Sequence, residues 1–383
     1  MRIKNSAPLA IKIWLLVALL LASLVLVGCF GVPPRGWSGG AVAEDTLFLG
    51  SMDGEFLALK AESGARLWQM PIETETSGGG FGCAPAPTSV AIYGTPAVGE
   101  ELVYFGGYNG KVYALNTSSG ALRWVYPRQG NLEPIAGGAV VALGKLYIGS
   151  SDGKLYALDA ATGDEIWQFE TGDKVWSTPV IDGNRLFIAS FDKKLYALDA
   201  ATGDEIWQFE TEGAIVSTPV VHNSRVYIGS FDRHLYALDA ASGRKIWQFP
   251  SDDEAEGGPG NWFWAKPIVH NNTLYAVNLD GRVYILSAET GSEVASTIDI
   301  GSPLSSWPVL ADSSVIIASE EGTIYALDTA TNQVKPLANL DEKVYAPLAA
   351  SDGVVYVHTQ ENTLYALSAQ TGVTLWSLPL SSK

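Results

Sequence analysis

KLYALDAATGDEIWQFET, residues 154–171, recurs letter for letter at 194–211, and HLYALDAASGRKIWQF follows at 234–249 with small edits. The anchor tyrosines Tyr156, Tyr196 and Tyr236 therefore stand forty residues apart. A unit of this size cannot bury its apolar face alone, so copies must stack on one another. Within 175–211, four apolar runs are separated by turn residues. The first is 175–181, followed by Asp182-Gly183-Asn184, and the second is 185–190, followed by Phe191-Asp192-Lys193. The third, 195–198, closes on Ala201-Thr202-Gly203, and the fourth, 205–209, carries Trp207. Gly in such turns supplies positive φ, and Asp or Asn bonds back to nearby backbone. Four short strands per repeat predict an all-β chain folded as a β-propeller of four-stranded antiparallel blades.

The blade number follows from the copies of Trp207, which are Trp68, Trp124, Trp167, Trp247 and Trp376. Two further units keep the tyrosine strand, at Tyr284 and Tyr325, with Ala295 and Pro336 in the tryptophan place. Eight units result, from about Trp37 to Leu380, and seven blades with a spare hairpin is the competing count. One tryptophan per blade at a fixed place suits a ring wedged against the next blade, worth ~1.5–3 kcal/mol each when buried. The seams around the sixth and seventh blades are then expected to be softer.

Ahead of the repeats, Arg2, Lys4 and Lys12 precede an apolar run, 13–27, that ends in Gly28-Cys29. This pattern predicts a lipoprotein signal peptide over 1–28, a lipidated tether over 29–36 starting at Cys29, and the propeller over 37–383. The alternative, an uncleaved membrane helix, falls short of the ~20 apolar residues a span needs. Removing the leader's three cations leaves 21 basic against 41 acidic residues. Such a surface repels phosphate backbones, so nucleic acid is not an expected partner. With Cys29 acylated, Cys83 is the one remaining thiol and no internal disulfide is expected.

Two long connections break the regularity. Residues 71–92 are rich in Gly and Pro, and 250–261 (PSDDEAEGGPGN) carry Asp252, Asp253, Glu254 and Glu256. Both join an outer strand to the next inner strand, so both should emerge on one face, across the ring from each other. Loops on a rigid scaffold are common binding elements, although tolerated insertion accounts for them equally well. The candidate partner-binding residues are Phe81, Asp252, Asp253, Glu254 and Trp262. The acidic run lacks the alternating ligands of a Ca²⁺ loop, and no metal is expected. Core packing is the first expectation for Trp262-Phe263-Trp264; an exposed Trp262 would be an anchor for a partner.

Nothing in the chain points to catalysis. His222 and His270 sit at turn positions, no His or Cys pair has metal spacing, and no nucleophile elbow or phosphate loop is present. The motif LYALDAATGDEIW (155–167) resembles the repeat of the pyrroloquinoline-quinone-like propellers, and the resemblance spans nearly the whole chain after the leader. Within that superfamily, a lipobox followed by eight blades is similar to the BamB lipoproteins. The resemblance implies a non-enzymatic monomeric scaffold that binds a subunit of the outer-membrane β-barrel assembly machinery. It also implies anchorage at the periplasmic face of an outer membrane, or at the outer face of the membrane in a single-membrane cell. The superfamily's other branch, the quinoprotein dehydrogenases, has a vicinal Cys-Cys that Cys29 and Cys83 cannot form, so neither quinone nor Ca²⁺ is expected as a cofactor. A quinone-binding or degenerate dehydrogenase propeller and a glycan-binding surface module are the alternatives.

Overall fold

The computed structural model describes residues 36–72, 90–251 and 259–380. Cys29, Phe81, Cys83, Asp252, Asp253 and Glu254 lie outside the described residues. Among the described residues, the strands form eight four-stranded antiparallel sheets, each from consecutive strands. The blades, numbered in chain order, cover 41–71, 97–126, 139–170, 180–210, 220–249, 268–299, 309–339 and 349–379. Eight, not seven, is the count.

Blade 4 is typical. Its strands are Val180–Asp182, Arg185–Ala189, Lys194–Asp199 and Glu205–Glu210. One row of side chains crosses the blade as Val180, Phe187, Ala197 and Trp207. The two middle strands are buried on both faces, as Leu186, Phe187, Ile188, Leu195 and Leu198 are. That explains why these runs read as continuously apolar rather than alternating. The innermost strand is shorter than the apolar run 175–181 suggests, beginning at Val180. Pro179 has no N–H for a ladder, and a side chain replaces it there. The Ser177 hydroxyl accepts from Ala189 N at 3.0 Å and donates to Ala189 O at 2.8 Å, and Ser217 does the same with Gly229.

The tryptophans sit at the seams. Trp124 Nε1 donates to Ala160 O of the next blade at 3.0 Å, Trp207 to Ala240 O at 3.1 Å and Trp247 to Ala288 O at 3.2 Å. Trp68 donates to Thr117 O, whereas the buried Trp167 Nε1 has no partner among the described residues. Each ring lies flat on the turn between the third and fourth strands of the following blade. At that turn Gly243 has φ +70, and a Cβ on it would stand 2.6 Å from the Trp207 ring. The Gly of the repeated motif is therefore needed by the neighbour's tryptophan as well as by its own turn.

Blades 6 and 7 depart from this scheme in a coupled way. Blade 6 has Ala295 in place of the tryptophan, and its outer strand is cut to Ile298–Asp299. The turn it faces in blade 7 carries Asn332, at φ 55, instead of Gly. With no ring to accommodate, a side chain fits, and Tyr275 Oη approaches Asn332 Oδ1 at 3.4 Å. In blade 7 the register moves: Tyr325 faces Pro336 and Ala326 faces Lys335, so Pro336 does not take the tryptophan's place opposite Ala326. The bulge migrates toward the strand's far end, and Leu337 backbone packs where a ring would against the Gly372 turn.

The ring closes between blades 8 and 1 through Trp376 Nε1 and Tyr356 Oη, which both donate to Ala61 O at 3.0 and 3.2 Å. Beside them the buried His358 lies between Ser38 O at 3.2 Å and Asn362 Oδ1 at 3.1 Å. Asn362 continues the network to Met52 N and to Asp53 Oδ2, both at 3.1 Å. Burial pushes the His358 pKa down, against the opposing pull of Asn362 and Ser38. A base with a depressed folded pKa leaves the unfolded chain holding more protons, so its stability contribution is full above about pH 6.5 and is lost below it. We expect the urea midpoint to fall on acidification through that range, and His358→Gln to flatten the fall. An unchanged slope in the variant would remove His358 as its cause.

Candidate functional site: an aromatic channel mouth

In six blades, the residue just after a buried anchor faces the channel mouth. The anchors Ile92, Ile135, Val175, Ile215, Phe263 and Val344 are at most 1% exposed. Their successors Tyr93, Ala136, Trp176, Val216, Trp264 and Tyr345, together with Trp37, line a cavity of about 250 Å³ at the channel mouth. Alternation of side chains explains the division: the anchor packs between blades and its neighbour faces the opening.

Hairpins between second and third strands add an outer tier. Phe191 N donates to Lys174 O, Phe231 N to Ala214 O and Tyr108 N to Ala91 O, each at 2.9 Å, which holds these tips against the mouth. On one side Trp176 meets Phe191 at 4.8 Å, and Phe231 stacks on Trp262 at 4.5 Å and 14°. Trp264 lies 5.8 Å from the same Phe231 ring. On the other side Tyr108, Tyr93, Trp37 and Tyr345 follow one another at 5.2–5.5 Å. The mouth is thus rimmed by two arcs of rings, with Trp262 45%, Tyr108 39% and Trp37 37% exposed. The triplet 262–264 is therefore split: Phe263 enters the core, while Trp262 is exposed and Trp264 lines the mouth.

Ile72 N donates to Gly54 O of the blade 1 hairpin, and Val90 N donates to Ile72 O. Near the end of the connection 250–261, Gly260 N donates to Asp280 Oδ2 at 3.0 Å.

Four hairpin acids on the mouth face, Asp152, Asp192, Asp232 and Asp280, are committed to structure. Asp192 accepts from Lys194 N at 3.0 Å, from Tyr196 Oη at 2.6 Å and from Gly172 N of the incoming connection at 2.7 Å. Asp152, Asp232 and Asp280 likewise accept from Tyr156, Tyr236 and Tyr284. Burial first, then these bonds, push the Tyr156 and Tyr196 phenols well above their usual range. Asp192→Ala leaves three donors without their acceptor and is expected to cost about 2–4 kcal/mol in urea unfolding. A loss near zero would mean water replaces the carboxylate.

Below the mouth, Trp307 and Pro347 border both the upper cavity and a lower one of about 580 Å³. Blade 7 reads Leu304-Ser305-Ser306-Trp307 where blade 4 reads Val175-Trp176-Ser177-Thr178, so its ring sits two residues later, at the channel's waist. No group of three or more His, Cys, Asp or Glu side chains able to hold a metal converges among the described residues. Of the residues singled out from sequence, the structure places Trp262 at the mouth and Trp68, Trp124, Trp167, Trp207, Trp247 and Trp376 at the seams. Apart from Trp264, which the sequence shows within the 262–264 triplet, and Trp37, which it shows only as the start of the repeats, the mouth aromatics carry no signal of their own in the sequence. Aligning the segment before each first strand, blade under blade, exposes them.

A family model described as outer membrane protein assembly factor BamB matches residues 30–175, 151–299 and 279–383. No curated protein sequence matches the chain. Among solved structures, BamB from Moraxella catarrhalis superposes with a TM-score of 0.67 at 21% identity, covering 88% of this chain and 92% of its own. The computationally designed protein Ika8 gives 0.71 at 17% identity over 87% and 96%. A quinohemoprotein alcohol dehydrogenase from Pseudomonas putida gives 0.60 at 17% over 76% and 66%. At such identities these likenesses speak to the fold.

Proposed function

Because the chain belongs to the family of the outer membrane protein assembly factor BamB, we propose that it is a non-enzymatic scaffold of the cell envelope, anchored by lipid on Cys29, that docks an envelope assembly protein on its aromatic mouth. The observation that carries this reading is the exposed arc formed by Phe231, Trp262 and Trp264. Exposed aromatic clusters on a rigid frame make anchor points for protein partners, since large rings bury much area at little entropic cost. The floor formed by Trp307 suits a surface that receives a side chain or loop rather than one that passes a substrate. Asp152, Asp192, Asp232 and Asp280 beside the mouth are already bonded to hairpin tyrosines, which favours apolar contact there.

The quinoprotein reading rests on fold likeness alone, and a propeller does not fix its chemistry. Crosslinking in intact cells, followed by purification and mass spectrometry, tests the proposal. It predicts recovery of a β-barrel assembly subunit in the membrane fraction, and release of the protein to the soluble fraction on Cys29→Ala. Recovery of no envelope protein would sink the scaffold reading, and unchanged membrane retention would sink the anchor.

A further inference from the structure

The waist of the channel is lined from six blades by the residue at the place of Thr178, and in blade 6 that residue is Lys266. Its neighbours there include Thr95, Thr178, Thr218 and Trp307. Thr178 Oγ1 accepts from Gly138 N at 3.1 Å and Thr218 Oγ1 accepts from Thr178 N at 3.2 Å. Each hydroxyl thereby has its acceptor side occupied by the adjacent blade and its proton left to donate. Lys266 is partly buried, and among the described residues it forms no hydrogen bond, ion pair or ring contact. No acid lines either cavity. In a chain of net charge −17, the one charged side chain lining these two cavities among the described residues is a cation. An ammonium held in a cleft without a counter-charge is costly, and burial pushes the Lys266 pKa down accordingly.

We propose that the lower channel is a binding site for a small oxyanion, a carboxylate or phosphate, held by the Lys266 ammonium and the hydroxyls of Thr178 and Thr218. The cavity's volume of about 580 Å³ admits a small organic anion with its first waters. The site is independent of partner docking, because it lies beneath Trp307 rather than at the mouth.

The test is a thermal melt of the full chain against millimolar inorganic phosphate and, separately, malonate, at ionic strength held constant with sodium chloride. A ligand that binds only the folded state raises Tm with its concentration by mass action. The wild type is expected to respond, Lys266→Arg to keep the response, and Lys266→Met to melt higher than wild type without anion and not respond. The double variant Thr178→Val, Thr218→Val is expected to need roughly tenfold more anion for the same shift. An equal response in Lys266→Met would assign it to general salt effects and overturn the proposal. So would no response of the wild type to either anion.

Discussion

Trp376→Ala is expected to destabilise the ring by about 3–5 kcal/mol, the range for removing a large ring from a packed site. Trp376 is half of the closing seam: its indole N–H bonds Ala61 O, and its ring covers the Gly64 turn, where a Cβ would come within 2.7 Å. The segments flanking the two blades also cross this seam, Ser38 O meeting His358 and Leu380 O accepting from Arg66. The cluster Trp376 completes joins Leu47, Leu57 and Leu59 to Tyr356 and Leu364 across the two blades. Urea unfolding followed by tryptophan fluorescence and by circular dichroism checks the expectation. A loss under about 1 kcal/mol would show that the His358–Asn362 network carries closure instead.

The second large effect concerns docking. The double variant Phe231→Ala, Trp262→Ala is expected to weaken partner capture by about 30-fold or more, because hot-spot truncations cost ≥ 2 kcal/mol each. Phe231 supports Trp262 by stacking at 4.5 Å, so the two act together and their separate effects will not add. Phe263, one residue away but 1% exposed, belongs to the core, and replacing it would affect stability first. Unchanged capture by a folded double variant would move the docking site elsewhere.

Much of the fold is legible in the repeat because forty residues of one motif encode strands, turns and seam together. The Gly of ATG and the Trp of EIW are written in the same blade but meet across the seam, Gly203 under Trp167. Losing one relaxes the other, which is why Ala295 and Asn332 depart together. The shifted register of blade 7 was not legible, because where a bulge settles around Pro336 depends on packing against the next blade. The short inner strands were hidden too, since Ser177 looks like a strand residue and substitutes for strand backbone.

The functional face was read by its loops, and Phe81, Asp252, Asp253 and Glu254 fall outside the described residues. Its rings were harder to see, because each mouth aromatic is a single letter in a different blade. His358 had a similar signal: it closes a second strand where blades 3 and 5 have Gly149 and Gly229.

The most direct measurement places a photo-activatable amino acid at Trp262 on the mouth and, in a second protein, at Asp182 on the opposite face. Both are irradiated in intact cells. The scaffold account predicts that Trp262 captures an envelope assembly subunit and that Asp182 does not. Capture from Asp182 alone, or from neither, would contradict it.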